Sequence, residues 1–113
     1  MNIEWVRRHC LSMPHATESV QWGDHLVFKI GGKIFAVLAL EPSKVWLSLK
    51  VSPEVFAELV EREGIIPAPY FARNHWVALE TEDALAPAEL KGLLSIGYKL
   101  VLEKLSGKAR APL

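Results

Sequence analysis

The chain has 113 residues and carries thirteen basic side chains against thirteen acidic ones, so its formal charge at neutral pH is zero. That balance argues against the strongly basic kind of nucleic-acid binder. The single cysteine, Cys10, excludes an intramolecular disulfide and a cysteine-based zinc motif, and no run approaches the ~20 apolar residues of a membrane span. Half of the residues are apolar or aromatic, enough for one domain to fold around a core of its own. The start, Met1-Asn2-Ile3-Glu4-Trp5, lacks the basic region and apolar run of a signal peptide. The expectation is a soluble cytoplasmic domain over residues 1–105 with a flexible tail over 106–113.

In chain order, Asn2 is a suitable cap for a first helix with Ile3, Val6, Cys10 and Met13 at helical spacing, and Pro14 ends it. Residues 15–18 read as a connection, and Ser19-Val20-Gln21-Trp22 as a short edge strand closed by Gly23-Asp24. Residues 26–38 are the strongest local signal: two apolar runs flank Gly31-Gly32, the pattern of a tight hairpin. A two-residue turn sets Ile30 against Lys33, Lys29 against Ile34, Phe28 against Phe35 and Leu26 against Val37. Directly opposed residues share a face, so Leu26, Phe28, Phe35 and Val37 form the expected core face. Val27, Lys29, Ile34 and Ala36 form the other, with Lys29 exposed.

Glu41-Pro42-Ser43-Lys44 is a turn. Val45 to Leu49 alternates as a third strand, with Val45, Leu47 and Leu49 on one face and Trp46 and Ser48 on the other. Ser52-Pro53-Glu54 starts a helix buried through Val55, Phe56, Leu59 and Val60, with Gly64 as its left-handed cap. Residues 65–74 are irregular, held extended and out of the ladder by Pro67 and Pro69, with Tyr70 and Phe71 adding bulk. His75 to Glu80 is the last strand. Pro87 opens a long helix whose apolar stripe includes Leu90, Leu93, Leu94, Gly97, Val101, Leu102 and Leu105. A glycine there costs ~1 kcal/mol relative to alanine and implies a closely packed neighbour. The order α-β-β-β-α-β-α, with an extra strand near Trp22, predicts an α+β fold: an antiparallel sheet with helices gathered on one face.

Charge is uneven along this order. Residues 51–83 hold seven acids against Arg62 and Arg73, whereas residues 84–113 hold Lys91, Lys99, Lys104, Lys108 and Arg110 against Glu89 and Glu103. A neutral total can conceal one basic and one acidic side, or merely solvated helix faces.

Catalytic patterns are missing. His9, His15, His25 and His75 form no helical pair with a carboxylate, so no metal ligand set is predicted, nor any cofactor. Gly31-Gly32-Lys33 lies in a hairpin and not between strand and helix, where a phosphate loop would be. No serine sits in a nucleophile elbow, and Cys10 reads as a small buried apolar residue. What remains is a set of aromatic and basic residues near the sheet edges: Trp22, Lys29, Lys33, Trp46, Lys50, Tyr70, Arg73, Asn74, His75 and Trp76. Such a set can contact phosphates and bases, or pack its aromatics inward with lysines reaching out.

The chain resembles the MmcQ/YjbR family of small bacterial proteins. The resemblance is carried by Pro14 with Thr17-Glu18, by Val27 through Ala36, by Leu49-Lys50 with Ser52-Pro53-Glu54, by Gly64 through Tyr70, by His75-Trp76-Val77, and by Leu90-Lys91 through Tyr98. The chain has Gly97 where the family usually has serine, and His15 where it often has a small residue. The resemblance implies a double-wing domain similar to the frataxin-like (CyaY-like) fold and a regulatory DNA-binding role. It brings no catalytic residues, and the frataxin likeness brings no iron site, since only Glu4 lies on the first helix where an acidic ridge would be wanted.

The leading expectation is a non-enzymatic DNA-binding module that meets phosphates, weakly and in a salt-dependent way, through Lys29, Lys33, Lys50, Arg73, Asn74 and His75. The alternatives are a protein-interaction module docking through the outer sheet face around Val27, Ile34 and Trp46, and a small-molecule site near Pro67–Trp76. For these, Trp22, Trp46, Tyr70 and Trp76 are the candidate pocket or partner residues. A continuous positive strip through Lys29, Lys33, Lys50 and Arg73 would favour DNA. A cleft with convergent polar groups would favour a small ligand.

Overall fold

The computed structural model describes residues 3–69 and 74–111. Its elements are α1 (Ile3–Leu11), β1 (Thr17–Gln21), β2 (His25–Ile30), β3 (Lys33–Ala39), β4 (Leu47–Lys50), α2 (Pro53–Leu59), β5 (Ile65–Pro67), β6 (Trp76–Leu79), α3 (Pro87–Glu103) and α4 (Gly107–Arg110). The six strands form one antiparallel sheet in the order β1-β2-β3-β4-β6-β5. Residues of α1, α2 and α3 share one buried cluster with Leu26, Phe28, Ile30, Phe35, Leu38, Leu47, Leu49, Val77 and Leu79, so the helices cover one face of the sheet.

The hairpin turns at Gly31 and Gly32, both at positive φ (59° and 82°), as the tight turn demands. Ile30 meets Lys33 and Lys29 meets Ile34 as expected. Beyond that the register differs. Phe28 faces Ala36, Val27 faces Val37 and Leu26 faces Leu38. β3 carries one extra residue, Phe35, opposite the Phe28–Lys29 step. This is a β-bulge, and it puts Phe35 and Ala36 on the same side. The two phenylalanines still meet beneath the helices, ring centroids 6.4 Å apart, and Phe35 stands edge-on to Tyr98 at 5.6 Å. The bulge turns Val37 to the outer face and Ala36 to the helical one, the reverse of the simple hairpin pattern. Lys29, expected to be exposed, is only half so.

Other expectations are adjusted in the same local way. The edge strand begins earlier, at Thr17, and ends before Trp22, which lies in the turn. β4 begins at Leu47. Because Val45 and Trp46 precede it, their sides are exchanged: Val45 packs on the outer cluster and Trp46 on the helical one. Ser52 caps α2 as expected, its hydroxyl accepting from the Val55 N–H at 3.3 Å. The helix stops at Leu59 with right-handed Val60 as its cap, so Gly64 instead turns the chain into β5. Ile65–Pro67 does join the ladder, as an edge strand, where proline's missing N–H is tolerated. Ser106 caps one further helical turn, Gly107–Arg110, where a loose tail is expected. Asn2, Tyr70, Phe71, Arg73 and the last two residues of the tail lie outside the described residues.

α3 packs closely on the sheet. A Cβ placed on Gly97 would stand 2.8 Å from the Lys50 carbonyl oxygen, so only glycine lets the helix lie this near β4. The neighbouring Tyr98 donates its hydroxyl to the Pro14 carbonyl at 2.6 Å, pinning the end of α1 to α3. Arg7 ties α1 to the edge strand, donating to Glu18 at 2.9 Å and to Glu4 at 2.7 Å. Cys10 is fully buried and its thiol is pushed up to about 12, chiefly by burial and then by the Glu18 charge.

Two outcomes follow. Gly97→Ala should lower stability by ~1–3 kcal/mol through overpacking, despite alanine's better helix propensity, in chemical denaturation. His9, whose Nε2 lies 3.0 Å from the Ser95 hydroxyl, is held below its usual range, mainly by burial. The unfolded chain therefore binds more protons than the folded one near and below pH 6.5, and stability falls with pH there. His9→Gln should lose less stability than wild type between pH 7.5 and pH 5.5, compared by urea midpoints.

Candidate functional site

The basic residues singled out in the sequence do not form one row. Lys29 lies on the outer face, paired between Thr17 and Ile34. Lys33 pairs with Ile30, whose side chain belongs to the helical core, so it projects from the opposite face. Lys50 donates its amine to the Asn74 carbonyl at 2.7 Å and is held below the usual lysine range, first by burial and then by the Lys104 charge. His75, at φ 61°, turns its ring edge-on to Phe56 at 5.6 Å. Lys50, Asn74 and His75 thus come together at the end of β4 and β6, while Lys29 and Lys33 are split between faces. Arg73 and Tyr70 lie outside the described residues.

The outer face is not the open docking surface that the sequence suggests. Pro67 ends β5, and Ala68 and Pro69 after it lie on the outer face. Ala68, its N–H bonded to the Trp76 carbonyl at 3.0 Å, packs with Trp76, Ala78, Val27 and Val37 in a second buried cluster. Val27 is wholly buried there and Ile34 is partly so. Trp46 has left this cluster and donates its indole N–H to the Thr81 carbonyl at 2.8 Å.

Register explains what stays uncovered. One outward row crosses all six strands: Ser19, Val27, Val37, Ser48, Ala78 and Ile66. The next row toward the β1–β2 turn is Gln21, His25 and Ala39. Ala68 and Trp76 bury the middle of the first row. Between Pro69, the second row and the β3–β4 loop a cleft of about 540 Å³ is left, with Trp22 and Trp46 among its lining residues. Its apolar lining comes from Val37, Ala39, Val45 and Pro69, and its polar lining from His25, Ser43, Lys44 and Ser48.

Ser48 distinguishes this cleft. Among the described residues it is the single buried polar side chain, 8% exposed, and its hydroxyl makes no hydrogen bond. Its oxygen keeps access to the cleft, since no fully enclosed side-chain polar atom lacks a partner among the described residues. At the rim, His25 Nδ1 lies 2.6 Å from Asp24 Oδ1 and its ring meets Trp22 edge-on at 5.8 Å. Two strand spacings and two residues separate His25 from Ser48, roughly 12 Å between α-carbons. Their side chains cannot reach the ~3 Å contact of a nucleophile and its base. The two side chains are polar groups at separate places in the cleft and do not form a hydrolytic pair. Among the described residues no three potential metal ligands converge, and no helix is long and apolar enough to cross a membrane.

Trp22 is held at φ 57° and is 59% exposed. A left-handed conformation costs a bulky residue about 1–2 kcal/mol, and such strain concentrates at functional sites. Sequence reasoning singled out Trp22 and Trp46 but passed over Ser48, His25, Ser43 and Lys44. The one signal that could have found Ser48 was a lone hydroxyl in the outward register of a central strand.

The YjbR family model matches residues 11–100. The protein YbdF of Escherichia coli O157:H7, described as uncharacterized, is 26% identical over 107 residues, covering 91% of this chain and 86% of its own. Among solved structures, the Deinococcus radiodurans protein DR2400, with a DUF419 domain, superposes with a TM-score of 0.86 at 28% identity, over 98% of this chain and 86% of its own. A Pseudomonas syringae protein superposes with a TM-score of 0.73 at 23% identity, over 88% and 98%, and shares the fold.

If Trp22 serves binding and not folding, Trp22→Gly should leave stability unchanged or raise it by up to ~1 kcal/mol, through relief of the left-handed strain. Thermal and urea unfolding check this. A structural role would give a clear loss.

Proposed function

The chain belongs to the YjbR family, the matched stretch contains every described residue of the cleft, and from this premise we propose that the domain is a non-enzymatic module that binds a small molecule on its outer sheet face. The observation that carries this reading is Ser48: a hydroxyl with no side-chain or backbone partner, set between Val37 and Ala78, opening on a cleft of about 540 Å³. Packing alone would favour alanine or valine there. A cleft of a few hundred Å³ with mostly apolar walls and few convergent polar groups is the usual form of a small-ligand site.

The DNA-binding role implied by the family resemblance has weaker support. The chain is neutral, Lys29 and Lys33 belong to opposite faces, and Lys50 is engaged with a backbone carbonyl. A protein partner has less to grip on the outer face, because Val27 and Trp76 are already covered.

Amide and indole NMR spectra of the full chain, recorded against a fragment library and separately against single- and double-stranded DNA at low salt, test the reading. Fragments should shift Trp22, His25 and Ser48 together. Ser48→Ala should keep the fold, match or exceed wild-type stability and weaken those fragments. DNA should produce no shift whose size falls with salt. A salt-dependent DNA response at Lys29, Lys33 and Lys50, with a silent cleft, would overturn it.

A further inference from the structure

The cleft's chemistry narrows its ligand, on the premise that it is a ligand site. Its two tryptophans do different work. Trp46 is fixed by its indole bond to the Thr81 carbonyl and packs on the helical core, so it serves as wall. Trp22 is mostly exposed, carried on a strained backbone, and steadied at its edge by the His25 ring that Asp24 orients. An exposed, positioned indole beside an apolar cleft is a stacking platform, and a flat π-system is what stacks on it.

Charge supplies the second constraint. Among the described lining residues Lys44 is the one permanent cation and none is acidic. Asp24, engaged with His25, sets a carboxylate beside those described residues. That suits a monoanion over a phosphate dianion. Ser48, deep and unpartnered, can donate to or accept from one further polar group at the far end. We propose that the cleft binds a small aromatic monocarboxylate, its ring stacked on Trp22, its carboxylate at the Lys44 amine and a polar ring substituent at Ser48.

The test uses matched probes on the full chain, read by tryptophan emission and by NMR shifts at Trp22, Lys44 and Ser48. 4-Hydroxybenzoate and indole-3-acetate carry all the features. Benzamide lacks the charge, cyclohexanecarboxylate lacks the π-face, and phenyl phosphate carries the dianion. The aromatic carboxylates should bind at least about threefold tighter than each of the other three. Trp22→Gly, and Trp22→Asn as a second variant that accepts the left-handed conformation, should cost about tenfold in affinity. Lys44→Gln should remove the preference for 4-hydroxybenzoate over benzamide.

Equal binding of benzamide or cyclohexanecarboxylate overturns the assignment, as does affinity indifferent to Trp22. If unrelated fragments shift the cleft while the acids do not, the ligand class is wrong and the cleft reading stands. If nothing shifts the cleft, both fall.

Discussion

A single extra residue in β3 decides which side chains this sheet gives to its helices and which it turns away from them. Strands alternate with a period of two, so adding one residue exchanges every later side chain between faces. Here Phe35 is that residue. Before it, Lys29 and Ile34 look outward; after it, Val37 does, and Ala36 and Leu38 join the helical core. The outward row of Val27, Val37, Ser48 and Ala78 exists because of this exchange. Without it Val37 would sit under α3 and the floor of the cleft would not form.

The two faces carry different loads. The helical face is sealed by large side chains and by the close seat of α3 over β4, where Gly97 leaves no room for a methyl group. The outer face is half closed: Ala68 and Trp76 bury its middle, and the row beside the β1–β2 turn stays open. Stability is therefore drawn mainly from one side, and the other side is free to hold an unpaired hydroxyl and a strained tryptophan. Tyr98 and Pro14, two of the residues that carry the family resemblance, are joined by a hydrogen bond and serve packing, whereas Trp22 and Ser48 lie outside the stretches that carry it.

Much of the fold was legible because it rests on local chemistry. Gly31-Gly32 dictates a hairpin, Ser52-Pro53-Glu54 a helix start, Pro14 a helix end, and Gly97 in an apolar stripe a close neighbour. The bulge was not legible, because no residue type marks it and both registers bury the phenylalanines. β5 was missed because its pairing is tertiary: Pro67 argues against a strand unless the strand lies at an edge. The site was less legible still. Trp22 stood out by size alone, and Ser48 matters only because register sets it among valine and alanine, which alternation within one strand does not reveal. The lysines looked like a group in sequence, but their faces depend on pairing partners.

The placement of proline in β5 has a bearing on how copies of this domain meet. An unpaired strand edge is a template for another chain. β5 is three residues long and ends in Pro67, which has no N–H to offer, so that border of the sheet cannot be lengthened strand by strand. The opposite border, β1, runs five residues with its outer backbone groups unmatched by a further strand, since it terminates the sheet. Among the described strands, β1 is the edge at which self-association, or an aggregate that grows by adding strands, would begin.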